Sequence, residues 1–265
     1  MRTLVSSSKL SVPAITIAKY TIKGYIKERV LLVVLVFAFL LMISSYVLAP
    51  LAVGAQKKII IDVGLASVSV FGVLLVVLMG AGSYSREKDK GILPGILAKP
   101  ISRVDFVLGK FLGTWMTVTV VMACMTAVYF AVMLLSRTAL SKTIFVALHL
   151  SVLEVALITA TLSFFSSFTS PLLSSLFTLC VFISGHLSTD LLAFAKHFGG
   201  VGFKIAASIG YYLLPNLSLF NIRSEAVHGL PLMDNYISSV TIYGVFYTLL
   251  LLFLSALIFR RKDVT

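Results

Sequence analysis

From end to end the chain alternates charge-free apolar runs with short polar segments. Val30–Gln56 holds no charge between Arg29 and Lys57. Val63–Ser85 holds none between Asp62 and Arg86, and Phe111–Ser136 none between Lys110 and Arg137. Thr143–Thr189 contains only Glu154 and is too long for one helix. It breaks at residues 163–171, where a Ser- and Thr-rich stretch runs into Pro171. Asn235–Phe259 is the last run. A spanning helix needs about 20 mostly apolar residues to cross about 30 Å of hydrocarbon. The pattern therefore predicts an all-α polytopic membrane protein with six transmembrane helices. They are expected near 30–53, 63–84, 109–135, 143–166, 171–188 and 237–259.

Composition agrees. The chain is 59% hydrophobic and only 12% charged, about half the roughly 25% charge of a soluble domain. That excludes a soluble globule or a disordered chain. The net charge of +12 lies in clusters between apolar runs, so it faces anionic lipid and not nucleic acid. Cys124 and Cys180 both sit in apolar runs, which implies no disulfide framework. With six spans, fifteen Lys and Arg fall on one side and seven on the other. The positive-inside rule puts both termini in the cytoplasm, and an even number of spans agrees. The first run is longer than the h-region of a signal peptide and reads as a retained span.

Three segments are not spans. In residues 1–29, Lys19, Lys23 and Lys27 repeat every four residues, while Ile15, Ala18, Ile22, Tyr25 and Ile26 form a separate apolar stripe. Such an amphipathic elbow lies in the membrane interface, either as a lipid anchor alone or also touching a cytoplasmic partner. Residues 84–110 open with the charge cluster Arg86–Lys90 and then offer Gly91 as a helix stop. A short apolar helix follows, with Ile92, Leu93, Ile96 and Leu97, and ends at Lys99-Pro100. Ser102 with Asp105 has the spacing of a capping box for the next helix. Exposed leucines there either fold back on the bilayer or dock a partner. Residues 189–234 hold amphipathic pieces near 190–198 and 202–213 around Gly199-Gly200. Residues 260–265 are a basic tail.

Arg86-Glu87, Gly91, Leu97, Pro100, Ser102-Arg103, Phe106 and Gly109-Lys110 carry a resemblance. The loop resembles that of type-2 (ABC-2) permeases of ATP-binding-cassette (ABC) exporters. It is most similar to the group associated with nitrous-oxide-reductase maturation and gliding. This sequence has Pro94-Gly95 where the family more often carries an acidic residue and a leucine. The six-span layout, elbow and basic tail also look like that family. The resemblance implies a coupling helix between spans two and three, docked on a separate nucleotide-binding ATPase subunit. Its contact candidates are Glu87, Gly91, Leu93, Leu97, Pro100 and Arg103. It further implies a second permease subunit, in a homodimer or heterodimer, and an external half-helix region between spans five and six. It implies a prokaryotic inner membrane, and no cofactor in this chain, ATP and Mg being held by the partner.

Within the spans, Glu154 is the one acidic residue at mid-membrane. Charge there is costly, so its carboxyl is expected neutral or paired, either lining the transport path or bonding helices together. His149 is five residues away and on a different face. Gly80 with Gly82, and Gly109 with Gly113, are small-residue pairs suited to close helix packing. Met122, Cys124 and Met125 could ligate a soft metal, but methionines at this spacing also fill core gaps. There is no P-loop, no His-Glu-x-x-His and no Gly-x-Ser-x-Gly. Histidines 149, 186, 197 and 228 are not at ligand spacing. No catalytic or metal site is therefore expected. An exporter permease is favoured over two alternatives, a scaffold or sensor subunit without transport and an intramembrane enzyme built on Glu154.

Overall fold

A computed structural model of the chain describes residues 11–26, 55–89, 103–198, 200 and 214–261. It also describes single residues between 32 and 47 and between 202 and 211. Every element among them is a helix. These are α1 (Ser11–Ile26), α2 (Gln56–Asp89), α3 (Arg103–Leu135), α4 (Lys142–Ser166) and α5 (Pro171–Phe198). A 3-10 turn (Leu217–Phe220), α6 (Arg223–His228) and α7 (Tyr236–Arg261) follow. Five of them, α2, α3, α4, α5 and α7, contain stretches long and apolar enough to cross a membrane. The chain is a multi-pass, all-helical membrane protein. The first expected span, 30–53, falls mostly outside the described residues. Those within it that are described, among them Leu32, Val36, Phe39 and Ile43, are helical and exposed.

The expected break at 163–171 is a turn at residues 167–170, after which Pro171 opens α5. Proline suits a first helical position because its missing N–H had no partner there anyway. The Phe164 and Phe165 carbonyls at the end of α4 accept from backbone N–H groups of the turn and also from the Ser167 and Thr169 hydroxyls. The expected piece at 190–198 is not separate, since α5 runs unbroken to Phe198. Ser188, Thr189 and Asp190 add polarity but break no helix geometry. Likewise α2 begins at Gln56, ahead of the charge-free run at Val63. Charges mark where the hydrocarbon ends, whereas a helix ends where its backbone is capped.

Helix α4 is the centre of the bundle and packs on α2, α3, α5 and α7. Small residues set how closely the helices approach. A Cβ at Gly64 of α2 would collide with the buried Tyr129 ring of α3. One at Gly80 would lie 2.6 Å from both Leu162 Cδ1 of α4 and Ser175 Oγ of α5. The interior between α2, α3 and α4 is filled by Leu75, Val76, Val118, Met133, Leu157 and Ile158, all fully buried. Helix α1 lies along α3, with Ala18 buried at the contact and Lys19 and Lys23 exposed. Ile15, from the expected apolar stripe, remains exposed.

The segment after α5 returns into the bundle. Leu217 and Phe220 of the 3-10 turn are buried. The Pro215 carbonyl and Leu217 side chain rest on Gly185 of α5, and the Phe220 ring rests on Gly244 of α7. The Tyr236 hydroxyl donates to the Leu219 carbonyl at 2.7 Å, and the Tyr243 hydroxyl accepts from the Asn216 N–H at 2.9 Å. These bonds satisfy backbone groups that have no helical partner, as irregular backbone within a bundle requires. Beyond the turn, Arg223 of α6 pairs with Asp62 of α2 at 3.3 Å. Residues 215–228 are thus folded against α2, α4, α5 and α7.

Candidate functional site

Glu154 lies halfway along α4 and is 1% exposed. Two other helices reach it. His186 Nε2 of α5 is 2.6 Å from Glu154 Oε1. Ser69 Oγ of α2 donates to Oε2 at 3.0 Å. Both carboxyl oxygens are therefore occupied, each by a different helix. Phe182, one turn before His186, meets the imidazole edge-on with ring centroids 4.8 Å apart. The two ionisable partners differ in exposure: the His186 side chain is 23% exposed and that of Glu154 2%.

The local sequence explains the placement. The short turn at 167–170 makes α4 and α5 an antiparallel hairpin. Residues at similar distances from the turn then lie side by side, which brings together Glu154 and His186, 32 positions apart. Gly80 and Gly72 bring α2 close to the same hairpin, with Ser175 and Val155 against them. The glycines thus let Ser69 reach the carboxyl.

The order of the three groups limits their chemistry. A nucleophilic triad places the imidazole between the hydroxyl and the carboxylate. Here the carboxyl is in the middle, and Ser69 faces it instead of the imidazole. His186 therefore cannot take the Ser69 proton. The arrangement can hold a proton between Oε1 and Nε2, and it can fix the imidazole in place. Among the described residues no cluster of three or more His, Cys, Asp or Glu is spaced to hold a metal. Met122 and Met125 are buried in the core, while Cys124 between them is exposed. The three do not converge.

The other sequence candidates are less fully placed. Glu87 is on the last turns of α2 and Arg103 opens α3, but their side chains lie outside the described residues, as do Gly91, Leu93, Leu97 and Pro100. Gly82 continues α2 beyond Gly80. Gly109 is buried, and a Cβ at Gly113 would lie 2.6 Å from Thr21 Cβ and 3.0 Å from the Ala18 carbonyl of α1. Gly113 therefore seats α1, a contact within one chain. Sequence alone does not single out His186, because its acidic neighbour at helical spacing, Asp190, lies beyond the expected span 171–188 and Glu154 is on another helix. The usable signal was positional: His186 and Glu154 are nearly equidistant from the Pro171 break. No protein-family model matches the chain, and neither does any curated protein.

Proposed function

We propose that the chain is the transmembrane permease subunit of an ABC exporter, moving cargo with ATP hydrolysed by a separate nucleotide-binding subunit. The observation that carries this reading is the length of α2 combined with the motif it leads into. At 34 residues, α2 is about 51 Å long, against about 30 Å of hydrocarbon. Its charge-free run ends at Ser85, and residues 81–89 continue as helix. They carry Arg86 to Asp89 beyond the apolar layer, where a soluble ATPase could reach the chain. The motif from Arg86-Glu87 to Gly109-Lys110 then supplies the coupling helix, with Leu93 and Leu97 as its apolar face.

Other features fit the same reading. Helix α1, seated on α3 by Gly113, serves as the elbow at the cytoplasmic interface. The 3-10 turn and α6 form the external segment that narrows the exit. Both termini face the cytoplasm of a prokaryotic inner membrane, and a second permease subunit completes the pathway. Affinity purification of the full-length protein from its native host membrane tests this. An ATPase with a P-loop should co-purify, and its hydrolysis should rise when the complex is reconstituted in liposomes with cargo. Repeated isolation of the chain with no ATPase would remove the permease reading. An ATPase partner without cargo movement would favour a scaffold or sensor subunit.

A further inference from the structure

The hydrogen bonds around Glu154 determine where the proton of the pair lies. Ser69 Oγ has a single acceptor among the described residues, Glu154 Oε2, so it donates there. The remaining proton lies between Oε1 and Nε2. A net charge at mid-membrane is strongly disfavoured, which selects the two arrangements in which the pair is neutral overall. In one, a carboxylic acid donates to a neutral imidazole. In the other, an imidazolium donates to a carboxylate. In both, the far ring nitrogen, Nδ1, bears a hydrogen.

That Nδ1–H has no acceptor among the described residues. Nor is Nδ1 among the buried side-chain atoms left without a partner. The ring is partly exposed, on a helix that also exposes Cys180, Leu187 and Asp190. Polar side chains within spans face a bundle interior, a water-filled cavity or a partner, since lipid chains accept no hydrogen bond.

We infer that His186 is a hydrogen-bond donor site on the open face of α5, for a group that brings an acceptor oxygen to mid-membrane, and that Glu154 is its positioning residue. Glu154 is too deeply buried to touch such a group itself. Assigning that group to the cargo rests on the permease reading; the donor does not. The cargo class is then molecules with a carbonyl, ether or anionic oxygen, for which this N–H replaces a bond lost with water.

Solid-state NMR of the full-length, 15N-histidine-labelled protein tests both parts. The protein is placed in phosphatidylethanolamine and phosphatidylglycerol vesicles at pH 7, and the His186 signals are identified by their loss in His186→Phe. Protonated Nδ1 is expected in the wild type. Glu154→Gln should keep it, because Ser69 donates to the amide oxygen and leaves the NH2 facing Nε2. Glu154→Ala should release the ring into a mixture of tautomers. Unchanged signals from His149, His197 and His228 establish that each variant is folded. If Glu154→Ala fails to fold, the wild type and Glu154→Gln still decide the matter. Trioctylphosphine oxide, a membrane-soluble acceptor, should shift the Nδ1–H signal downfield to saturation, whereas a long-chain alkane should not. An unprotonated Nδ1 in the wild type, or no shift with the phosphine oxide, overturns the inference. No step needs an ATPase, so failure of the permease reading and failure of this one are separately visible.

Discussion

A carboxyl at the centre of a bilayer has two routes to a tolerable free energy: it gives up its charge or it meets a partner that balances it. Glu154 shares a proton with His186 and accepts a second bond from Ser69, so the residue that sequence marks as costly also joins three helices. Such bonds are modest in membranes, averaging about 0.6 kcal/mol with a maximum near 1.7, because the unfolded chain in lipid also finds partners. A double-mutant cycle should therefore show coupling. Glu154→Leu and His186→Leu each leave a polar partner stranded, and the double variant strands neither of this pair. Its loss of stability should fall short of the sum of the singles by about 0.6–1.7 kcal/mol. Unfolding in mixed micelles of increasing SDS content measures this, and strict additivity would mean that the pair does not form. Glu154 itself was legible in the sequence as the one acid within a span. His186 was not, because its significance comes from a neighbour across the α4–α5 hairpin.

Among the elements, Gly113 sets the position of α1. Its missing side chain lets Thr21 and the Ala18 carbonyl reach the surface of α3. In Gly113→Ala the new methyl meets backbone as well as side chain, so α1 must lift. Overpacking of this kind typically costs about 1–3 kcal/mol. Amide exchange across Ile15–Lys23 should accelerate by about tenfold or more. Gly200→Ala, where a Cβ meets nothing within 4 Å, serves as the control and should leave the exchange unchanged; equal effects in the two variants would mean that α1 is not seated by this contact. The expected spans from 109–135 onward closely match α3, α4, the start of α5 and α7, because charge-free length is imposed by the thickness of the hydrocarbon. Helix ends were less legible. Asp62 bounds the charge-free run of span two, yet α2 starts earlier, and Asp62 is paired with Arg223. The return of Leu217 and Phe220 onto Gly185 and Gly244 left no periodic signal, since a 3-10 turn of four residues is too short to have one. In the 84–110 loop, the apolar patch bounded by Gly91 and Pro100 yields a separate expectation. Leu97→Asp should uncouple ATP hydrolysis from transport while the membrane domain stays folded. A docked leucine contributes about 1.5–3 kcal/mol, and a desolvated aspartate reverses its sign. Normal transport by a Leu97→Asp complex in liposomes would show that the patch is not the docking helix.

At the scale of the whole molecule, what matters is where a passage could lie. Among the described residues the middle of the bundle is packed: Leu75, Val76, Val118, Met133, Leu157 and Ile158 fill the space between α2, α3 and α4. One cavity, where α2, α3, α4 and α7 meet beside Thr114, Thr159, Ser163 and Ser255, is about 50 Å³, room for a few waters; a larger and open one of about 410 Å³ lies between the start of α2 and α6, beside Asp62 and Arg223. Interiors packed in this way do not open for cargo without losing the contacts that hold them. Polar groups that are not used up inside, His186 foremost, lie instead on the outer face of α5. On the permease reading, we propose that the pathway forms against another subunit and not within this one. The simplest closed arrangement is a two-fold pair, in which the same face of each copy contributes a wall. With one ATPase per coupling loop, the complex should contain two permease and two ATPase subunits. Native mass spectrometry of the complex, released from a mild detergent, reads this directly. Two copies of this 28.7 kDa chain, or one copy beside a different permease of similar span number, should appear with two ATPases. A functional complex containing a single permease copy would mean that the passage runs through the packed interior after all, and the interfacial pathway would have to be abandoned.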